Sequence, residues 1–205
     1  MHEILVPNDE NINRVVDVLC EGGVVAFPTE TVYGLGANAY NDKAVSKIFS
    51  YKKRPRSKPL SVCYQSFDSA FDDVVIDERA VLLAKKFLPG PVTIILKRRA
   101  DSKLSPLCSA ELDTVGIRVP SNPIALGLLS RLPFPLAAPS ANRSTQSSPT
   151  TAQHVSDSLK DNKTLLILNG GCCSIGVEST IVDLPNNKVT RVGVISEKEI
   201  WNALG

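Results

Sequence analysis

The chain reads as an α/β protein, a mixed sheet with helices packed on it, and three observations predict this. Short apolar, β-branched runs alternate along the chain with segments whose apolar residues recur at helical spacing. The run Val24 to Phe27 is apolar at every position, the pattern of a strand covered on both faces. The last two strand-like runs, Thr180 to Leu184 and Lys188 to Val192, are joined only by Pro185-Asn186-Asn187. That link is too short for a crossover, so the pair is antiparallel and the sheet is mixed. No internal repeat, low-complexity tract or linker divides the 205 residues, so residues 1–205 are expected to form one domain.

Taken in order, Ile12, Val15, Val16 and Leu19 mark a first helix between Asn8 and Glu21, with Asn8 or Asp9 as its N-cap. Gly22-Gly23 can end that helix, and the strand Val24 to Phe27 follows until Pro28, which cannot donate to a ladder. Thr29 to Gly36 reads as a polar turn kept open by Gly34 and Gly36. Asp42 can cap a second helix with Ala44, Val45, Ile48 and Phe49 as its buried stripe, and Pro55 is expected to end it. A strand over Leu60 to Tyr64, a helix over Asp77 to Phe87 and a strand over Val92 to Leu96 come next, the last two separated by the rigid Pro89-Gly90-Pro91 turn. Lys97 to Glu111 is expected to be loop, Thr114 to Val119 a strand, and Asn122 the cap of a helix through Leu129. Leu136 to Ala138 leads into Pro139-Ser140-Ala141-Asn142 and a polar loop over Arg143 to Pro149. Thr150 with Gln153 has the spacing of a capping box for a helix to Leu159, and Ser196 with Glu199 opens the last helix in the same way. Between them lie a strand over Leu165 to Leu168 and the glycine-rich loop Asn169 to Gly176.

Composition excludes several classes of function. Hydrophobic residues make up 43% and charged residues 21% of the chain, which is the balance of a globular protein. A net charge of +2 does not supply a general basic coat for nucleic acid, although a local cluster of cations could still hold phosphates. Five cysteines without C-x-x-C spacing suit a reduced, cytoplasmic protein better than a disulfide framework or a zinc knuckle. No apolar run approaches a membrane span, and the N-terminus lacks the pattern of a signal peptide. Two isolated histidines, His2 and His154, give little material for a histidine metal site or a Ser-His-Asp triad.

Polar chemistry gathers in four segments that follow strands or helices: Thr29 to Tyr33, Lys52 to Lys58, Ser140 to Asn142, and Ser174 to Thr180. Lys52, Lys53, Arg54, Arg56 and Lys58 put five cations into seven residues. In isolation such a run is a solvated helix end that also suits the macrodipole. Pro55 and Pro59 stiffen it, however, and the other loops offer the neutral donors Ser140, Asn142, Ser148, Ser179 and Thr180. Cations with neutral donors describe a pocket for an anion such as a nucleotide triphosphate or a carboxylate. Neither G-x-x-x-x-G-K-[ST] nor a helix-opening G-x-G-x-x-G is present, so a bound nucleotide is not expected on either common cradle.

Six stretches together resemble the YrdC-like family, whose catalytic members are threonylcarbamoyl-adenylate synthases. They are Phe27 to Gly36 (FPTETVYGLG), Lys52 to Pro55 (KKRP), Pro89 to Thr93 (PGPVT), Gly116 to Pro120 (GIRVP), Ala138 to Asn142 (APSAN) and Gly176 to Asp183 (GVESTIVD). The resemblance covers nearly the whole chain and implies a single-domain YrdC-like fold, a twisted mixed sheet with flanking helices around a positively charged cavity. It also implies a reaction in which L-threonine, bicarbonate and ATP, with Mg²⁺ accompanying the ATP and no metal ligand from the protein, give threonylcarbamoyl-adenylate and pyrophosphate. That product serves threonylcarbamoyladenosine formation beside the tRNA anticodon, so tRNA and a downstream threonylcarbamoyl transferase complex are the implied partners. The family's signature falls on Lys52, Arg54, Ser140 and Asn142 as catalytic residues. ATP contacts are implied for Arg54, Lys58, Thr114, Ser140, Ser148 and Arg191, and threonine contacts for Thr31, Cys63, Arg118, the backbone at Ala138, and Ser179. Arg118 suits a bidentate grip on the threonine carboxylate.

The chain departs from the family pattern at Cys63, where many relatives carry a histidine, at Thr145-Gln146 and at Val192. It stops at Gly205, soon after the last expected helix, like the single-domain form. Two alternative readings are a catalytically silent RNA-binding module of the same fold and an enzyme of carbamoyl transfer to another acceptor. Intact Lys52, Arg54, Ser140 and Asn142 argue for the synthase.

Overall fold

A computed structural model describes residues 2–205. Ten strands among them form one mixed sheet: β1 (Glu3–Leu5), β2 (Val25–Phe27), β3 (Gly34–Asn38), β4 (Ser61–Cys63), β5 (Val92–Lys97), β6 (Thr114–Arg118), β7 (Leu136–Ala137), β8 (Leu166–Leu168), β9 (Thr180–Asp183) and β10 (Lys188–Arg191). Their order across the sheet is β1-β8-β2-β3-β7-β4-β6-β5-β9-β10. Seven helices accompany it: α1 (Asp9–Cys20), α2 (Asp42–Lys52), α3 (Glu78–Phe87), α4 (Pro106–Ser109), α5 (Pro123–Leu129), α6 (Ala152–Ser158) and α7 (Glu197–Asn202).

Pairing register decides what each face of the sheet carries, because side chains alternate along a strand and paired residues share a face. Ala26, Leu35, Ala37, Val62, Ile94, Ile117, Ile167 and Val182 all point to one side, where they form the larger core with residues of α2, α3, α6 and α7. The other side carries Val25, Phe27, Gly34, Gly36, Leu136, Cys63, Arg118, Thr93 and Ile181. On that side Ile12, Val15 and Leu19 of α1 and Ala125, Leu128 and Leu129 of α5 pack over Val25, Phe27, Leu136 and Cys63. The helices stop there. The remainder of that face, around Ser61, Arg118, Thr93 and Ile181, is left to a cleft.

Several sequence expectations need correction. The Thr29 to Gly36 stretch is not all turn: Gly34 and Gly36 open β3, which pairs antiparallel with β2. Glycine is required there for space, since a Cβ at Gly36 would lie 2.8 Å from the Phe27 ring and 3.2 Å from Leu136. The edge strand β1, parallel to β8, was not anticipated. Neither were α4 inside the expected Lys97 to Glu111 loop and a 3₁₀ turn at Asp68–Ala70. Two caps shift by one residue: Asn41 rather than Asp42 caps α2, and Thr151 rather than Thr150 caps α6. Asn8 caps α1, Asn122 caps α5, and the Ser196–Glu199 capping box opens α7, all as expected. The α2 helix ends at Lys52, before Pro55, because Lys53 turns left-handed at φ 51°.

Candidate active site

The cleft measures about 710 Å³, open mouth included, and lies against the uncovered part of the sheet face. Three arginines from separate elements converge on it, with Ser140 and Ser179, and each reaches it by a different local device.

Arg118 ends β6, directly across from Cys63, and is 7% exposed. Its Nη2 donates to Glu30 Oε1 at 2.6 Å and its Nε to the Gly90 carbonyl at 3.3 Å. The other Glu30 oxygen accepts the Ser121 amide at 3.1 Å. Nη1 has no protein partner among the described residues. A buried ion pair of this kind contributes little net stability, but it fixes the guanidinium plane.

Arg54 is placed by the left-handed turn at Lys53. Its amide donates back to Phe49 O at 2.9 Å, which swings the chain away from the helix axis. The side chain then donates from Nε to Lys58 O at 3.2 Å and from Nη2 to Pro59 O at 2.8 Å.

Arg191 reaches the cleft through a β-bulge. Val189 pairs with Val182, so regular pairing would set Thr190 opposite Ile181. The register slips by one between Val189 and Arg191, and Arg191 instead lies opposite Ile181, on the cleft face. There Nε donates to Ser179 O at 2.9 Å, Nη2 to Ser179 Oγ at 3.1 Å, and Nη1 pairs with Glu178. Burial lowers the pKa of both Arg54 and Arg191, and the Glu178 charge opposes this.

Hydroxyls complete the wall. Thr29 Oγ1 donates to Val32 O at 2.6 Å and meets Thr31 Oγ1 at 2.9 Å, an arrangement that folds the turn after β2 back on itself. Thr93 Oγ1 and Ser179 Oγ are 2.8 Å apart. Tyr33 lies under the loop after β8, its hydroxyl donating to Gly171 O at 2.8 Å and accepting from Gly170 N at 3.1 Å. Burial raises its pKa to about 12. Cys63 is also buried, and the thiol is pushed up to about 11, so it stands neutral at pH 7.

Of the residues singled out from the sequence, Thr31, Arg54, Cys63, Arg118, Ala138, Ser140, Ser179 and Arg191 line the cleft. Lys52 and Asn142 lie behind it. Lys52 is 1% exposed, and its ammonium donates to the carbonyls of Ser140 and Asn142, the latter at 2.6 Å, and to Asn142 Oδ1 at 3.3 Å. Three acceptors use all three of its protons, so this lysine holds the Ser140–Asn142 loop. Burial, with the nearby Arg54 charge, lowers its pKa to about 7. Asn142 in turn donates to Arg143 O at 3.0 Å and Gln146 O at 2.6 Å. Ser148 meets the cleft indirectly, donating to Glu178 Oε1 at 2.8 Å. The Lys58 side chain is exposed, and it is its carbonyl that touches Arg54. Thr114 shares the sheet face of Arg118 but sits four residues away and does not line the cleft.

Thr93, Glu30 and Glu178 are the participants that sequence reasoning did not single out. It counted the loops as sources of donors rather than carboxylates, yet each of two loops brings one carboxylate against an arginine. The only available signal was their position inside the quoted TET and VEST stretches. Among the described residues no group of three or more His, Cys, Asp or Glu side chains could hold a metal ion, and no helix is long and apolar enough to cross a membrane.

Comparison with known proteins bears on family and fold. The Sua5–YciO–YrdC family model, described as "Telomere recombination", matches residues 17–193. A Bacillus subtilis protein named threonylcarbamoyl-AMP synthase is 44% identical over 207 residues, covering 98% of this chain and 58% of the relative. The crystal structure of P. abyssi Sua5 complexed with L-threonine superposes with a TM-score of 0.92 at 38% identity, over 100% of this chain and 61% of that one. E. coli YciO, at 26% identity and a TM-score of 0.83, matches over 98% of both chains. The chain therefore spans about three fifths of the length of the first two relatives. Matched across most of its sheet by the family model, and sharing its fold with solved members, this chain belongs to the Sua5–YciO–YrdC family.

Proposed function

We propose that the chain, residues 1–205 as one YrdC-like domain, is a threonylcarbamoyl-AMP synthase. The observation that carries this reading is the convergence of Arg54, Arg118 and Arg191, from three separate elements, with Ser140 and Ser179 on one uncovered stretch of sheet. Names of relatives support it, since a synthase name goes with 44% identity and a threonine complex with the same fold.

In this reading L-threonine lies deep in the cleft. Its carboxylate meets the free Nη1 of Arg118, beside the Thr93–Ser179 hydroxyl pair, with Thr31, Cys63 and the Ala138 backbone around the rest of the molecule. ATP lies toward the mouth, its phosphates met by Arg54, Arg191, Ser140 and Ser148, with Lys58 and Thr114 at the periphery. Mg²⁺ would accompany the phosphates of ATP and supply charge neutralisation there. The threonine amine adds to bicarbonate with loss of water, and a carbamate oxygen attacks the α-phosphorus in line, expelling pyrophosphate. Lys52 and Asn142 act on this chemistry as positioning residues, by holding Ser140. The product is consumed in the cytoplasm by a transferase complex that modifies tRNA.

The test is pyrophosphate release on incubation with ATP, bicarbonate and labelled threonine. Release should require all three, and Arg54→Ala and Ser140→Ala should each slow it by roughly a hundred- to thousandfold with the fold intact. Variants that turn over like the parent would remove this loop pair from the site. A parent that binds tRNA but releases no pyrophosphate would instead support the RNA-module reading.

A further inference from the structure

Glu178 stands where a phosphate chain is placed by the reading above, and nothing in that reading gives it a role. One of its carboxylate oxygens accepts from Ser148 Oγ at 2.8 Å, and the other pairs with Arg191 Nη1. Those two partners are the groups assigned to phosphate. Arg191 does not depend on Glu178 for its position, because its Nε and Nη2 are already fixed on the carbonyl and hydroxyl of Ser179 at 2.9 and 3.1 Å. Glu178 is also the carboxylate whose charge acts on all three cations of this corner, Lys52, Arg54 and Arg191. Its backbone is packed tightly, since a Cβ on Gly193 would collide with the Glu178 carbonyl. The side chain is freer, 34% exposed at the cleft wall, in a segment without helix or ladder hydrogen bonds.

We propose that Glu178 is a displaceable internal counter-ion: its carboxylate occupies the polyphosphate position and must swing out when a phosphate chain enters. The inference rests on the nucleotide reading of the cleft and adds a determinant of affinity to it. An incoming phosphate and the Glu178 carboxylate compete for the same Ser148 hydroxyl and Arg191 proton, and both are negative. Retaining both within a few ångströms is costly at the reduced dielectric of a cleft. Glu178 thereby weakens the grip on the whole ligand class, products included, and favours release of pyrophosphate.

The experiment is calorimetric titration of the chain with pyrophosphate in EDTA, without divalent cations, for the parent and for Glu178→Gln and Glu178→Ala. Glutamine keeps the length and one acceptor oxygen but removes the charge, and the site is exposed enough for both variants to fold. Both should bind pyrophosphate about tenfold or more tightly, with the gap narrowing as salt is raised. L-threonine affinity should stay unchanged. Equal or weaker binding by the variants, beside a parent that does bind, would overturn the counter-ion role and leave the nucleotide reading standing. No binding by parent or variants would overturn both. Binding by the variants alone would be the strongest support, since the carboxylate would then account for the whole block.

Discussion

At Arg118 two protein acceptors, the Gly90 carbonyl and the Glu30 carboxylate, already take Nε and Nη2, and what remains for a ligand is Nη1. Lysine would keep the charge and could keep the Glu30 contact, but it cannot bridge Gly90, Glu30 and a substrate carboxylate together. Arg118→Lys is therefore expected to weaken threonine binding by roughly tenfold or more, about 1.4 kcal/mol, while ATP binding changes little. Titration of each ligand separately checks this, and an unchanged threonine curve would exclude Arg118 from the site. Lys52 yields a prediction about pH. Its pKa is lowered to about 7 in the fold against an ordinary 10.5, so between these values the unfolded chain binds the extra proton. Stability from this group must then rise as pH increases from about 7 towards 10.5, and level off below about 7, where both states carry the proton. Denaturant unfolding of the parent should accordingly gain on Lys52→Met across that window. A constant difference would mean that the three carbonyl acceptors keep the ammonium charged throughout.

Among the elements, the end of α2 shows how a local conformation sets the direction of two side chains. Lys53 turns left-handed at φ 51°, and the chain on either side sends Lys52 inward and Arg54 to the cleft. A non-glycine residue carries a penalty of about 1–2 kcal/mol in that conformation. Lys53→Gly should thus raise stability by up to about 1 kcal/mol without loss of activity, because the exposed Lys53 side chain lines nothing. Chemical denaturation with a parallel activity assay reads both, and a destabilised variant would mean that the turn is held by something other than its dihedral angles. On β3 the sign is reversed. Gly36→Ala places a methyl 2.8 Å from the Phe27 ring, which is itself pinned under α1 and α5. Overpacking of this kind typically costs about 1–3 kcal/mol, visible as a lowered Tm. A variant as stable as the parent would show that the ring has room to move.

For the molecule as a whole, a ligand that binds only the folded state must raise its melting temperature. ATP and L-threonine should each do so, and serine less than threonine, since the missing methyl is worth about 1 kcal/mol if buried. Melting curves with threonine, serine and an unrelated amino acid separate a threonine site from general anion binding; equal shifts for all three would count against it.

Local physics made much of this legible in advance. Helical periodicity located α1, α2, α3 and α5, the short link after Asp183 made the sheet mixed, and Arg54, Ser140 and Ser179, among the donors and cations singled out in advance, do line one cleft. Those features depend on neighbours within a few residues, which the sequence displays. Long-range pairing decided the rest. Gly34 and Gly36 look like a turn until Phe27 is placed across from them. Lys52 looks like part of a solvated basic run until the carbonyls of Ser140 and Asn142 close around it, about ninety residues later. Arg191 faces the cleft only because one bulge slips its register, and Glu30 and Glu178 become counter-ions only when the sheet brings Arg118 and Arg191 against them. Composition and spacing therefore determined the fold class and displayed the cations and neutral donors on which the proposed function rests. Which side chains line the cleft and which lie behind it was decided by the register of a ten-stranded sheet, because a slip of one residue exchanges its two faces.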